Sequence, residues 1–460
     1  MTDGKELLAL FPHNDGRRWV LWTPSGYYAA SPGAEYLIGW HRNNGADREA
    51  DFFPCAQFRS IYARPDVIDK VLSTRDETEA LRLANEESGR KQQEVTVTQM
   101  LPPVVTIQSP KDGFVVSSPE ITLGYIVKIT SGEPITQVKV LIDGRLVTQE
   151  RGVLYRPPSQ ADHGEATHDL HVRIPEQDCE VSLIAENRFA ASTPATVKLV
   201  WQGKSKPVAE FAIKPKLYVL AIGVGKYRDA ALKLEYPAKD ANDLAAVLEK
   251  QSGRLYREVV SRVVTNEKAT REGVLKGLEW IEKETTSKDV VIIFLAGHGV
   301  NDRNGDFHFI PHDGNPEQLR SSCVPYSILR DTVTRLPGKV IFFLDTCHSG
   351  NVMGDRRSVD MGDLDRIASD LASAENGVVV FTSSTGRQYA LESPKWNNGA
   401  FTKALVEGLD GKAEYEKKGY ITINMLDLYV SERVKELTQG QQTPMSARPK
   451  TIRDFPIATP

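Results

Sequence analysis

The second half of this 460-residue chain predicts an α/β fold, a mostly parallel sheet flanked by helices. The first observation is a set of continuous apolar runs: "KLYVLAIGV" (216–224), "DVVIIFLAGHG" (289–299), "KVIFFLD" (339–345) and "GVVVFTSS" (377–384). Strands buried on both faces read this way, as in parallel sheets. The second is what lies between the runs. Ala241, Leu244, Ala245 and Leu248 follow the i, i+3, i+4, i+7 spacing of a helix face, and "TREGVLKGLEWIEKE" and "YSILRDTVTRL" are amphipathic in the same way. Strands alternating with helices imply right-handed crossovers within one sheet. The third is a change of period near residue 206, upstream of which apolar residues alternate singly with polar ones.

That upstream half divides in two. Residues 1–98 are a small β-rich segment and a connector. "RRWVLWTPSGYYAASPGAEYLIGWHRN" reads as short strands broken by Pro-Ser-Gly and Ser-Pro-Gly turns, and holds three of the six tryptophans, Trp19, Trp22 and Trp40. Aromatics at strand spacing predict a small core. The charged stretch from 73 to 98 predicts a helical connector. Residues 99–205 alternate strictly: Ile121, Leu123, Tyr125, Val127 and Ile129; then Val138, Val140 and Ile142 running into Asp143-Gly144; then Val181, Leu183, Val197, Leu199 and Trp201. Asp-Gly after a strand is a strong hairpin signal. Several short strands in about a hundred residues predict an immunoglobulin-like β-sandwich, here without paired cysteines. Two helices, "NNGAFTKALVEGL" and "INMLDLYVSERVKELT", are expected after the last apolar run of the third region, 206–460.

Composition narrows the class. A chain of this length exceeds one core and suggests about three domains. The apolar fraction of 40%, the charged fraction of 26% and the net charge of −4 are those of an ordinary soluble protein. No basic tract invites nucleic acid, and no apolar stretch is long enough to span a bilayer. The first residues lack a basic start, an apolar segment and a small-residue cleavage site, so a cytoplasmic setting is expected. Cys55, Cys179, Cys323 and Cys347 are too scattered for a disulfide framework or a zinc finger. His163, His168 and His171 lie near Asp162 and Asp169, but no metal site matches their spacing, and none is assigned.

Chemistry concentrates at two strand ends. In an open parallel sheet, ligands bind beyond the carboxyl ends of the strands. One apolar run ends in Ala296-Gly297-His298-Gly299, another in Asp345-Thr346-Cys347-His348-Ser349-Gly350. On neighbouring strands, His298 and Cys347 would emerge at one edge. A thiol with a pKa of about 8.5 is mostly protonated at neutral pH, and an adjacent imidazole moves it towards thiolate or takes its proton during attack. The flanking glycines let backbone approach a substrate, and their N–H groups with that of Cys347 suit an oxyanion hole, assigned to Gly299 and Cys347. His348 is the weaker base, because it directly follows the nucleophile. Cys323 has no such surroundings and reads as structural.

"FLAGHG" followed by "FFLDTCHSG" closely resembles the caspase-like cysteine peptidases, and within them the metacaspase and bacterial orthocaspase branch. The resemblance spans about residues 214–435. It implies a caspase-like mostly parallel sheet, the caspase–haemoglobinase fold, and endopeptidase activity with His298 and Cys347 as the dyad. The N-terminal segment resembles the one that follows the last blade in bacterial WD40–caspase fusions; this chain has no propeller repeats, so the resemblance implies either a remnant or a segment that docks on a protein partner.

Carboxylates at the same edge bear on specificity. Asp345 stands two residues before the nucleophile, and Asp240 lies in "LEYPAKDANDL" at the start of a helix, where a capping role is the ordinary alternative. An acid pair suits Arg or Lys before the scissile bond. By resemblance both positions match the pocket acids of metacaspases. "SSTGRQYALE" resembles the family's pocket-wall loop, and Ser383 and Gln388 are its expected contacts, Glu392 a lesser one. Arg356 and Arg357, in the polar segment after the nucleophile, are candidate self-cleavage sites. "GVGKYRD" lacks the spacing of a phosphate loop, and "FHFIPHD" reads as a structural hairpin. No cofactor is expected. Some relatives need calcium, but the acids after Cys347 do not fit an EF-hand. The expected partners are protein or peptide substrates. Two alternatives stand beside this reading: a scaffold module that keeps only the fold, and cleavage after Asp, for which Arg387 is the one nearby cation in sequence.

Overall fold

The computed structural model describes residues 4–43, 45–46, 50–89, 100–147, 167–202, 214–302, 306–348, 363–373, 376–385 and 390–460. The chain forms two compact units. One is Met1–Ala212 with Lys450–Ile452; the other is Ile213–Pro449 with Arg453–Pro460.

In the first unit, strands Ala9–Pro12, Trp19–Trp22 and Tyr28–Ala30 form an antiparallel sheet, and Gly39–Arg42 pairs with Asp51–Pro54. Val20, Tyr28, Phe53 and Phe58 are buried beneath them, with Trp40 stacked edge-on to Phe58 at 4.7 Å. Trp22 and Trp40 pack partly buried against this core, and Trp19 is exposed. Part of the charged connector is the helix Glu77–Ser88, started by Asp76, whose carboxylate accepts the N–H groups of Thr78 and Glu79.

The alternating stretch folds as two sheets. One has five strands in the order Arg145–Leu146, Gln137–Ile142, Cys179–Glu186, Ala195–Trp201, Phe114–Val116; the other has three, Thr167–Arg173, Glu120–Lys128, Val104–Ser109. Their alternate residues, among them Leu123, Tyr125, Val140, Val181, Leu183, Val197 and Leu199, make one core. The Asp143-Gly144 turn closes as expected: both residues have positive φ, 50° and 76°, as a tight primed turn requires.

In the second unit, the strands are β1 (Lys216–Gly223), β2 (Glu258–Thr265), β3 (Val290–Asn301), β4 (Phe307–Phe309), β5 (Lys339–His348), β6 (Val378–Thr382) and β7 (Met445–Ala447). The order is β2-β1-β3-β5-β6-β7, with the first five parallel and β7 antiparallel; β4 folds back on the end of β3. The helices are α1 (Pro237–Glu249), α2 (Arg271–Glu284), α3 (Tyr326–Arg335), α4 (Asp363–Leu371), α5 (Ala400–Glu407) and α6 (Ile423–Leu437). All four apolar runs are therefore central strands. Leu220, Ile222, Ile293, Leu295, Phe342, Leu344 and Val380 pack with α2, α3 and α4 in one core. The intervening residues, including Val219, Ile292, Phe294, Phe343 and Phe381, are equally buried, and α1 packs against β1, β2 and β3. Each such large side chain contributes roughly 1.5–3 kcal/mol. At the amino end of the sheet, the Asp289 carboxylate accepts the N–H groups of Thr286 (2.9 Å) and Lys216 (3.2 Å), which ties the starts of β1 and β3 together.

Candidate active site

The parallel ladder between β3 and β5 sets the site. It pairs Ala296 with Asp345, and two rungs further His298 with Cys347, then Gly299 with His348. The two predicted dyad residues therefore occupy opposing register positions on adjacent strands, at the carboxyl edge of the sheet. Cys347 is placed by its backbone. The other three thiols lie in cores: Cys55, Cys179 and Cys323 are buried, and burial pushes Cys323 up to about 11 and Cys55 up to about 12. Neither has the depressed pKa of a nucleophile, as expected for structural cysteines.

His298 is 4% exposed and firmly held. Its Nε2 lies 2.8 Å from the Leu232 carbonyl. A carbonyl only accepts, so Nε2 carries a proton, and in the neutral ring Nδ1 is then the nitrogen with the lone pair. Leu232 ends the single 3-10 turn Ala230–Leu232, which Asp229 starts by accepting the N–H of Ala231 at 2.9 Å. The backbone N–H of His298 donates to the Tyr227 hydroxyl at 2.9 Å, and its carbonyl accepts the N–H of Ile310 at 2.9 Å. Gly299 is the rung between Phe309 of β4 and His348 of β5.

A second feature lies two rungs below. Asp345 and Asp240 are 6% and 2% exposed. Asp345 Oδ2 accepts the Thr402 hydroxyl at 2.9 Å. Asp240 does not cap its own helix: the first residue of α1 is Pro237, after Tyr236. Its Oδ1 instead accepts the Asn398 side-chain amide at 2.9 Å, and the Gly399 N–H lies 3.2 Å from each of its oxygens. The same amide reaches Asp243 at 2.7 Å, and Asp243 pairs with Lys239. A Cβ on Gly399 would sit 3.2 Å from both Asp240 Oδ2 and Asp345 Oδ2. The two carboxylates thus converge on the Gly399 backbone, where a side chain would press on both. Burial raises both acids above the usual carboxylate range, and the Asp345 charge raises Asp240 further. Ala296, Leu391 and Glu392 line the same cavity. Glu392, fixed by the N–H of Glu235 at 3.2 Å, is also raised by burial. The described lining holds three acids and no basic residue.

Other expectations resolve unevenly. Ser383 is fully buried just past β6, with its N–H on the Leu344 carbonyl (2.9 Å) and its carbonyl on the Gln442 side chain (2.7 Å). Gln388, Arg387, Arg356 and Arg357 lie outside the described residues, as do His163 and Asp162. His171 bonds Thr122 at 3.0 Å, and among the described residues no group of three or more His, Cys, Asp or Glu side chains is arranged to hold a metal ion. The "FHFIPHD" segment serves the fold: His308 Nδ1 bonds the Asp306 carbonyl at 2.9 Å, and Asp313 accepts the Arg271 N–H at 2.8 Å, at the start of α2. Sequence reasoning missed Leu232, Asn398, Gly399 and Thr402. A backbone carbonyl leaves no sequence signal. "NNGAFT" was legible only as the start of a helix.

Among the described residues, no helix is long and apolar enough to cross a membrane. Comparison with curated proteins finds no match. Among solved structures, the chain is similar to protein GSU0716 from Geobacter sulfurreducens, at 19% identity over 53% of this chain and 99% of that one, with a TM-score of 0.39. It is also similar to the N-terminal Ig1-2 module of the Drosophila receptor protein tyrosine phosphatase DLAR, at 16% identity over 27% of this chain and 62% of that one, TM-score 0.18. Neither likeness is strong enough to carry an argument. The family comparison is: the caspase domain model matches residues 216–456, over half of the chain and the whole of the sheet just described. With that match on a mostly parallel sheet of this order, the chain belongs to the caspase family and is a cysteine-type endopeptidase.

Proposed function

We propose that the protein hydrolyses peptide bonds after Arg or Lys, with Cys347 as nucleophile and His298 as base. The observation that carries this is the pairing of His298 with Cys347 across the ladder, two rungs above buried acids that converge over Gly399. His298 Nδ1 takes the thiol proton, and Sγ attacks the scissile carbonyl carbon. The oxyanion is held by the N–H groups of Gly299 and Cys347. As the C–N bond breaks, the imidazolium returns its proton to the leaving amine. Water, deprotonated by His298, then attacks the thioester and frees Cys347. Asp240 and Asp345 receive the substrate's guanidinium or ammonium group, and Ser383 and Gln388 shape the wall.

This reading assigns the chain to the metacaspase and orthocaspase branch. It keeps an immunoglobulin-like sandwich for residues 99–205, a protein partner for the N-terminal segment, a cytoplasmic setting and self-cleavage at Arg356 or Arg357. A panel of fluorogenic peptides varying the residue before the scissile bond tests it, with Cys347→Ala as control. Preferential cleavage of Arg and Lys peptides, absent from the control, is expected. Preference for Asp peptides would overturn the specificity, and equal residual turnover in the control would overturn the nucleophile.

A further inference from the structure

The segment that joins β1 to α1, residues 224–236, contains "GVGKYRD" and has no phosphate-loop spacing. It is nonetheless fastened along its length. The Asn266 side-chain oxygen accepts the N–H groups of Gly225 and Lys226, both at 3.0 Å. His312 Nδ1 donates to the Lys226 carbonyl at 2.7 Å, and the Arg228 N–H donates to the His312 carbonyl at 2.9 Å. The Leu234 N–H closes on the Gly225 carbonyl at 2.9 Å. Between these ties stands Tyr227, 7% exposed. Its hydroxyl accepts the His298 N–H at 2.9 Å, and its ring lies 5.2 Å from the imidazole at 35°. Gly297 makes room for this contact. It has a φ of 146°, and a Cβ there would come within 2.9 Å of the Tyr227 oxygen. The same segment supplies the Leu232 carbonyl, so one tied loop grips the histidine by its backbone, its ring face and its Nε2.

We propose that Tyr227 is a positioning residue for His298, held in place by Asn266 and His312. The inference rests on His298 being the base. The hydroxyl fixes the backbone from which the imidazole projects. The tilted aromatic ring favours the imidazolium formed when the thiol proton arrives. Tyr227 bonds the backbone of His298 rather than a ring nitrogen, so its effect is on where the imidazole sits and how readily it holds a proton.

Tyr227→Phe tests this, because it keeps ring and volume and removes only the oxygen. It leaves a buried N–H without its acceptor, and kcat on an Arg peptide is expected to fall about tenfold with KM within about twofold. The pH midpoint for alkylation of Cys347 by iodoacetamide, read by mass spectrometry at that residue, is expected to rise by about one unit, the equivalent of a tenfold loss of thiolate, because an imidazole whose backbone has lost its anchor supports the thiolate less well. Asn266→Ala loosens the loop without altering Tyr227 or His298, and should move both readouts the same way. An unchanged kcat and midpoint in Tyr227→Phe would overturn the proposal. So would a fall in kcat with an unmoved midpoint, which marks a packing defect only. His298→Ala separates the two levels. If it leaves the midpoint where the wild type has it, the base assignment itself is wrong and the proposal goes with it.

Discussion

Two regions of one sheet edge are built on opposite principles. His298 is buried with its needs met: a carbonyl for Nε2, a hydroxyl for its N–H, a ring against its face. Asp240 and Asp345, two rungs below, are buried acids that converge on Gly399, with no basic side chain among the described lining. The first region is finished without substrate. The second is held by the Asn398 amide, the Gly399 N–H and the Thr402 hydroxyl, and burial still raises both acids. The difference teaches that neighbouring groups on one sheet edge can put opposite demands on stability: satisfied groups hold an imidazole still, while buried acids without a basic partner are costly to ionise.

Breaking the first region should have the larger effect. His298→Ala and Cys347→Ala are each expected to lower turnover by roughly a thousandfold or more, because a coupled pair fails when either member goes. Circular dichroism should be unchanged, since the backbone ladder of β3 and β5 depends on neither side chain. Activity near wild type in either variant would dissolve the comparison, leaving an acid pocket with no catalytic partner.

Breaking the second should be milder and selective. Asp240→Asn and Asp345→Asn are expected to lower kcat/KM on Arg and Lys peptides by roughly ten- to a thousandfold, since each removes a charge facing the incoming cation. Alkylation of Cys347 by iodoacetamide should change far less. Asn keeps an oxygen for the Asn398 amide and the Gly399 N–H, so Asp240→Asn should also make the protein more resistant to urea, by roughly 1–3 kcal/mol at neutral pH. Loss of stability instead would show that the acids are structural.

The sign with pH sharpens the contrast. Both acids are raised in the folded protein, so the native state binds more protons than the unfolded chain. Their ionisation therefore costs stability progressively as pH rises above the ordinary carboxylate range, and the cost levels off once pH passes the raised values. Binding of a cation needs the ionised acids and runs the other way. In Cys347→Ala, calorimetric affinity for an Arg peptide should strengthen as pH rises through that same interval, by about tenfold per unit at most. Affinity independent of pH would remove the proton-linked pocket. The smallest effect is expected of Gly399→Ala: a methyl group placed 3.2 Å from both carboxylate oxygens should raise KM for Arg peptides by roughly three- to tenfold and leave alkylation unaffected.

Much of this was legible in the chain because strand burial writes itself into composition. The four apolar runs became central strands, and His298 and Cys347 stood at their ends. Asp143-Gly144 made its turn because two consecutive positive φ values need such residues. The edge strands were harder. "EVVSRVVT" forms β2, but it pairs on one side only and carries Glu, Ser and Arg, which breaks the continuous run. Three residues, Met445–Ala447, make β7 and are too few for any periodicity. The supports of the site were invisible for a different reason. Asn398 acts on Asp240 across 158 positions, and Tyr227 on His298 across 71, so neither pairing leaves a local pattern.

Those separations also bear on the order in which the site can assemble. The point between Asp240 and Asp345 is walled by Gly399 and steadied by Thr402, which follow the nucleophile by more than fifty residues. During synthesis, a chain released only as far as Cys347 owns its thiol and its imidazole but no finished cavity. Contacts of such long range close late in folding. In the order of synthesis, the acid point is therefore completed after the strands that carry His298 and Cys347.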